Sequence, residues 1–245
     1  MNWDSIVQKI SPHVVKIETP DGSGTGFLFA YNADRRRCGI ATALHVVSEA
    51  NDWQKPIKIH RHDFGTPPVF LPEASRIIFT DYPSDSAVIL FLQAEDLKLP
   101  SDLIQLRPVD SHLAIGVELG WMGFPSLEPY TLCFFSGNIS ARQAERRAYL
   151  IDGVAIHGVS GGPVIFSSAA DGCQFVGIVS AYRSGSNLPG LLVAQDVSHF
   201  HNVISTLKTW DEAKQKKAEE EARKKEAESA PKSPQAKPEP SEPVS

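Results

Sequence analysis

Ser160 stands among glycines in the run Gly158-Val159-Ser160-Gly161-Gly162-Pro163. A hydroxyl on so tight a turn is exposed, and backbone N–H groups beside it can converge because glycine has no Cβ to obstruct them. A nucleophile and an oxyanion pocket need that combination, although Ser and Gly are also the ordinary residues of turns. Upstream, Thr42-Ala43-Leu44-His45 ends an apolar strand at 39–44 and places an imidazole just past its edge, within reach of a neighbouring domain. Asp85 directly precedes the continuous apolar strand 87–92, so its carboxylate sits at the rim of a buried strand. Serine is a weak nucleophile until a base takes its proton, and the base needs a fixed tautomer and charge support. Ser160 as nucleophile, His45 as base and Asp85 as orienter supply one of each.

The elements that must position these groups read as β-strands. Short runs rich in β-branched and aromatic residues, bounded by Gly, Pro, Asp or Ser, recur at 14–18, 26–31, 39–44, 57–60, 77–80 and 87–92. After Asp110 the rhythm starts again, at 117–122, 131–139, 148–152, 163–166, 175–181 and 190–194. Two sets of strands mean two β-domains, spanning about 10–100 and about 110–196, with His45 and Asp85 in the first and Ser160 in the second. A helix follows at about 197–209, where Phe200, Val203, Ile204 and Leu207 share one face. From about 210 to 245 the composition changes to a tail. Charged residues and Ala give way there to Pro231, Pro234, Pro238, Pro240 and Pro243. Glu212 with Lys216, Glu220 with Lys224 and Glu221 with Lys225 are i,i+4 pairs worth about 0.3 kcal/mol each, which favours helix in the first half of the tail and disorder in the second. The tail is a candidate for binding a protein partner, against the plainer reading of a solvated helix and a loose end.

Composition excludes several function classes. With 24 basic and 29 acidic side chains the net charge is −5, the wrong sign for a nucleic-acid binder. No apolar run approaches the roughly 20 residues of a membrane span, and the polar start Met1-Asn2-Trp3-Asp4 lacks a secretory signal. Cys38, Cys133 and Cys173 are odd in number and scattered, against both a disulfide framework and a CxxC metal site. A cytoplasmic chain is the expectation. His60 with His62, and His199 with His201, repeat an i,i+2 spacing, but two imidazoles without further ligands make no zinc site, so no metal and no cofactor are expected. Arg35, Arg36 and Arg37 read as a solvated hairpin loop.

On these residues a resemblance can be stated. The chain resembles the chymotrypsin-fold serine peptidases, and within them is most similar to the HtrA-like (DegP-type) protease domain. The matching stretches are Gly22-Ser23-Gly24-Thr25-Gly26-Phe27, Ala41-Thr42-Ala43-Leu44-His45-Val46-Val47, Asp85-Ser86-Ala87-Val88-Ile89-Leu90, Gly123-Phe124-Pro125, Ser136-Gly137-Asn138-Ile139-Ser140, Ser160-Gly161-Gly162-Pro163 and Gly177-Ile178-Val179-Ser180. They are collinear over 13–207, and the chain order His, Asp, Ser is that of the chymotrypsin-type site. The resemblance implies an all-β fold of two six-stranded antiparallel β-barrels with a C-terminal helix. It places the protease domain at 1–209 and the active site in the cleft between barrels. It implies an oxyanion hole of the Gly158 and Ser160 N–H groups, which requires the peptide before Val159 to turn its N–H toward the cleft. By motif position Val154, Ala155 and His157 line the primary pocket, and Ser180, Ala181 and Tyr182 form the strand that pairs with substrate. No acidic residue stands at the pocket base and Tyr182 narrows the entrance, so small or medium aliphatic side chains are expected there.

The chain also departs from the family. Trypsin relatives carry Asp and HtrA relatives usually Asn just before the nucleophile, where this chain has Val159. HtrA proteins normally continue into a PDZ domain, and here the charged tail follows instead. Trp3 packs against its own barrel or, as aromatic residues at the amino end do in trimeric HtrA relatives, anchors self-association; monomer and homo-oligomer both stay open. The sequence thus points to a serine endopeptidase acting on protein or peptide substrates. The alternatives are a catalytically silent protease-fold scaffold and a latent protease ordered by a partner.

Overall fold

The computed structural model describes residues 2–154, 156–183 and 191–229, with the backbone alone at 181–183 and 226–229. Two compact units divide the chain, 1–208 and 209–245.

Helix α1 (Trp3–Ile10) opens the first unit, with the Asn2 side chain capping the Asp4 N–H. The first lobe then contains β1 (Val14–Thr19), β2 (Gly22–Tyr31), β3 (Arg37–Ala43), α2 (Leu44–Asp52), β4 (Ile57–Arg61), β5 (Val69–Leu71), β6 (Arg76–Asp81) and β7 (Ser86–Leu92). The second contains β8 (Gln105–Leu106), β9 (Glu118–Gly123), β10 (Cys133–Gln143), β11 (Ala148–Asp152), β12 (Pro163–Ser168), β13 (Gly172–Arg183) and β14 (Leu191–Asp196). Helix α3 (Ser198–Ser229) follows and runs into the second unit, where Gln215 donates to Glu219 one turn on.

The two lobes solve the same closure problem differently. In the second, β12-β9-β10-β11-β14-β13 closes on itself through the β12–β13 ladder, a six-stranded antiparallel barrel to which β8 adds in parallel beside β13. The first lobe differs from the six-stranded barrel expected. It is a seven-stranded sheet in the order β5-β4-β1-β2-β3-β7-β6, and no ladder joins its edges β5 and β6 among the described residues. The buried Arg76 guanidinium stands at that seam and donates to the carbonyls of Leu71, Ala50 and Lys55. Burial pushes its pKa down, with Glu73 opposing, so the charge is held by carbonyl dipoles in place of a carboxylate partner. The sequence reading lacked β5 and β8 because three and two residues are too few to show a period.

Each lobe has its own core. Leu28, Ile40, Ile57 and Phe91 fill the first, and Trp121, Ile151, Val159 and Val176 fill the second. The largest cluster lies where the lobes meet: Phe27 and Phe29 from β2 pack with Phe175 from β13, Phe200 from α3, and Ile6 and Ile10 from α1. The Phe27 and Phe175 rings are 4.4 Å apart. Burying a ring of this kind contributes about 2 kcal/mol, so this shared core fixes the lobes against each other. Trp3 packs on its own barrel, 5.0 Å from the Phe134 ring, with its indole N–H on Glu118.

Candidate active site

Strand pairing accounts for the first half of the site. In the β3–β7 ladder Ala43 faces Ser86, so the residue after one strand meets the residue before the other, and the Leu44 N–H donates to the Asp85 carbonyl at 2.9 Å. His45 then falls in the first turn of α2, a helix the sequence reading did not anticipate because the strand was carried through Leu44. Its backbone N–H donates to Asp85 Oδ1 at 3.0 Å and its Nδ1 lies 2.8 Å from Asp85 Oδ2. Asp85 itself has φ +48, a left-handed turn position that Asp tolerates better than most side chains. The imidazole is held by one ring nitrogen, and among the described residues Nε2 makes no hydrogen bond.

The second lobe adds to this carboxylate. The Ser180 hydroxyl donates to Asp85 Oδ2 at 2.7 Å. Ser180 lies in a bulge of the β13–β14 ladder, between the pairs Val179↔Ala194 and Ala181↔Val193, and a bulge re-aims the extra side chain. The sequence reading placed Ser180 only in a substrate-pairing strand. A bond to a carboxylate from another lobe leaves no trace in spacing.

Ser160 sits between β11 and β12 on a loop whose turns demand glycine. Gly158 has φ +91 as third residue of a turn closed by the Val159 N–H on the Ile156 carbonyl, at 3.1 Å. Contrary to the expectation, and with the Val159 N–H being neither of the two expected oxyanion donors, the peptide before Val159 does not turn its N–H to the cleft. Its carbonyl accepts from Thr25 Oγ1 at 2.8 Å instead. Gly161 has φ +82, and a Cβ there would lie 2.2 Å from both the Thr25 carbonyl oxygen and Thr42 Oγ1. The Gly161 N–H donates to the Val179 carbonyl at 2.7 Å, and the Thr25 N–H to the Ser160 carbonyl at 2.8 Å. Among the described residues neither the Gly158 nor the Ser160 backbone N–H donates a hydrogen bond. Val159, where relatives carry a polar residue, is fully buried in the second core and anchors the loop by packing.

His45, Ser160, Gly158 and His157 line one cleft of about 180 Å³, together with the β1–β2 hairpin tip, Val46 and Glu49. Ser160 Oγ and the imidazole make no hydrogen bond to each other, a separation common in unliganded sites of this chemistry. Of the residues assigned to the primary pocket, His157 lines this cleft, while Val154 is exposed and outside its lining. Ala155 lies outside the described residues, as do the side chains of Ala181 and Tyr182, whose backbones belong to β13. No group of three or more His, Cys, Asp or Glu with metal-binding geometry occurs among the described residues, and His60 bonds Glu18 at 3.0 Å. No described helix is long and apolar enough to cross a membrane.

No family model matches the chain, and no curated protein matches its sequence. Its fold is similar to many solved structures, among them the following three. A serine-to-alanine mutant of Rv3671c from M. tuberculosis, in an inactive form, has a TM-score of 0.57 at 17% identity, covering 83% of this chain and 90% of that one. A serine endoprotease from Yersinia pestis has a TM-score of 0.61 at 19% identity, over 84% of this chain and 66% of that one. Deg5 has a TM-score of 0.59 at 21% identity, over 81% and 90%. The chain has the trypsin-like serine-protease fold.

Proposed function

We propose that the protein is a serine endopeptidase that cleaves peptide bonds through an acyl-enzyme. The observation that carries this reading is the Asp85–His45 pair, with Nδ1 bonded to the carboxylate, opening on the same cleft as Ser160. Asp85 fixes the tautomer with the proton on Nδ1, so Nε2 is the basic nitrogen. Nε2 takes the Ser160 proton as Oγ attacks the carbonyl carbon. The Gly158 and Ser160 N–H groups, unspent on other partners, receive the oxyanion. Nε2 then gives the proton to the departing amine, and water repeats the sequence to release the acyl group. Ser180 adds a donor to Asp85 and so holds that carboxylate in place.

The open Ser160–His45 pair favours one other reading, a peptide binder that holds chains without cutting them. Incubation with fluorescein-labelled casein separates the two. Fragment release by the native chain and none by His45→Ala is expected. Casein left intact by a chain that binds it would transfer the function to the binder.

A further inference from the structure

A groove of about 630 Å³ lies against the outer face of the first sheet and meets the cleft at the β1–β2 hairpin tip, since Thr19, Asp21, Gly22 and Ser23 line both. Its floor is a row across three strands, Glu18 facing Lys58 and Lys58 facing Phe70 in register. Phe70 is the exposed one of the three, and Glu18 and Lys58 are half-buried. Glu18 is taken by Lys16 at 2.8 Å and His60 at 3.0 Å: burial would raise its carboxyl, but these two bonds outweigh it and the net shift is down. Lys58 makes no ion pair among the described residues and rests its ammonium 5.1 Å from the Phe70 ring. Phe70 is 58% exposed. Pro20 and Pro56 complete the walls, and having no backbone N–H they leave no donor unsatisfied when an apolar group covers them.

We propose that this groove selects an apolar side chain on the leaving-group side of the scissile bond, with Phe70 as the surface that recognises it. The direction rests on the hydrolase reading above. The resemblance implies that the acyl half pairs with β13, on the Ser180 side of Ser160; the amine half, which takes its proton from His45, then runs toward Glu49 and the hairpin tip that line the rest of the cleft. Lys55 holds that passage in shape, bonding Asp21 at 2.8 Å and Glu49 at 3.3 Å. A site continuous with the cleft, where the exposed Phe70 ring and the rings of Pro20 and Pro56 give apolar surface, suits an aliphatic or aromatic side chain of an extended peptide.

The test uses quenched fluorescent peptides with one acyl half, Ala-Ala-Val, and four residues beyond the bond, either all Gly or with Leu at the second, third or fourth place. The full-length native chain should cleave one of the Leu peptides with kcat/KM roughly tenfold above the all-Gly peptide, the scale of burying one such side chain. Phe70→Ala should bring that ratio to near one, and Phe70→Tyr should restore it. Fluorescence anisotropy of the same peptides on Ser160→Ala should show the same preference in Kd. Equal handling of Leu and Gly peptides by the native chain, or a ratio indifferent to Phe70→Ala, overturns the groove while leaving hydrolysis standing. If no peptide is cut, the hydrolase reading fails and anisotropy alone decides: a Leu preference abolished by Phe70→Ala upholds the groove, and equal binding overturns it.

Discussion

In the first lobe the imidazole and the carboxylate are fixed by one strand pair, through two hydrogen bonds between His45 and Asp85 and a third from Leu44. In the second, the hydroxyl rides on a turn held largely by the opposite lobe, through Thr25 to Ser160 and Gly158, with Phe124 N–H donating to Thr25 Oγ1 at 3.0 Å. The imidazole–carboxylate pair is thus assembled within its own lobe, with one bond to Asp85 added by Ser180 of the second, and the placing of the hydroxyl depends on the interface. The difference teaches where each part is vulnerable: the first to changes in its own ladder, the second to changes in the partner lobe.

The sharpest way to test that division is to remove one group from each half. Ser160→Ala and His45→Ala should each lower turnover by about 10⁶, since the groups act as a unit, with near-native circular dichroism. Peptidase assays would check it, and a residual rate near native in either variant would break the account. Next in size, Gly161→Ala places a Cβ against backbone at a positive φ and should destabilise the whole chain by at least about 2 kcal/mol in urea unfolding. Thr25→Val keeps the volume but strands the Gly158 carbonyl and the Phe124 N–H. It should lower kcat some 10- to 100-fold while leaving the His45 Nδ1 proton resonance in place, because the first-lobe pair does not depend on it. Loss of that resonance would contradict the independence of the two halves.

The smallest effect is one of pH. Burial lowers the pKa of His13, His62 and His199 below the ordinary 6.5, and His199 faces Phe79 and Asp81 of β6. The folded state therefore binds fewer protons than the unfolded one, so this stability is present above pH 6.5 and is lost as pH falls through that value. Stability in urea unfolding should therefore be lower at pH 5.5 than at pH 7.5, with the nearly inaccessible His13 contributing to the loss. At the lower pH, protection from hydrogen exchange, taken relative to the intrinsic exchange rate at that pH, should fall in β1, β4 and β6 before it falls in the closed second barrel.

Much of this was readable in the sequence, for reasons that differ by element. Apolar runs such as Ala87–Leu92 mark strands because both faces are buried, and Asp85 and His45 stand at strand ends whose pairing brings them together. The start of β2 was read four residues late, since Gly22, Gly24 and Gly26 look like a loop; Gly24 and Gly26 are glycine because a Cβ would strike Val46 and Ile40. Helix α2 was invisible because it is nine residues long and lacks a side-chain cap. Contacts between lobes, such as Ser180 on Asp85 and Thr25 on Gly158, leave no periodic trace, so these supports of the candidate site were illegible in the sequence.

The central claim, that His45 and Asp85 activate Ser160, is met most directly by reaction with a fluorophosphonate followed by mass mapping of the adduct. A single adduct on Ser160, absent from Ser160→Ala and from His45→Ala, is the expected result. A native chain that stays unmodified, or is modified elsewhere to an extent indifferent to both substitutions, would contradict it.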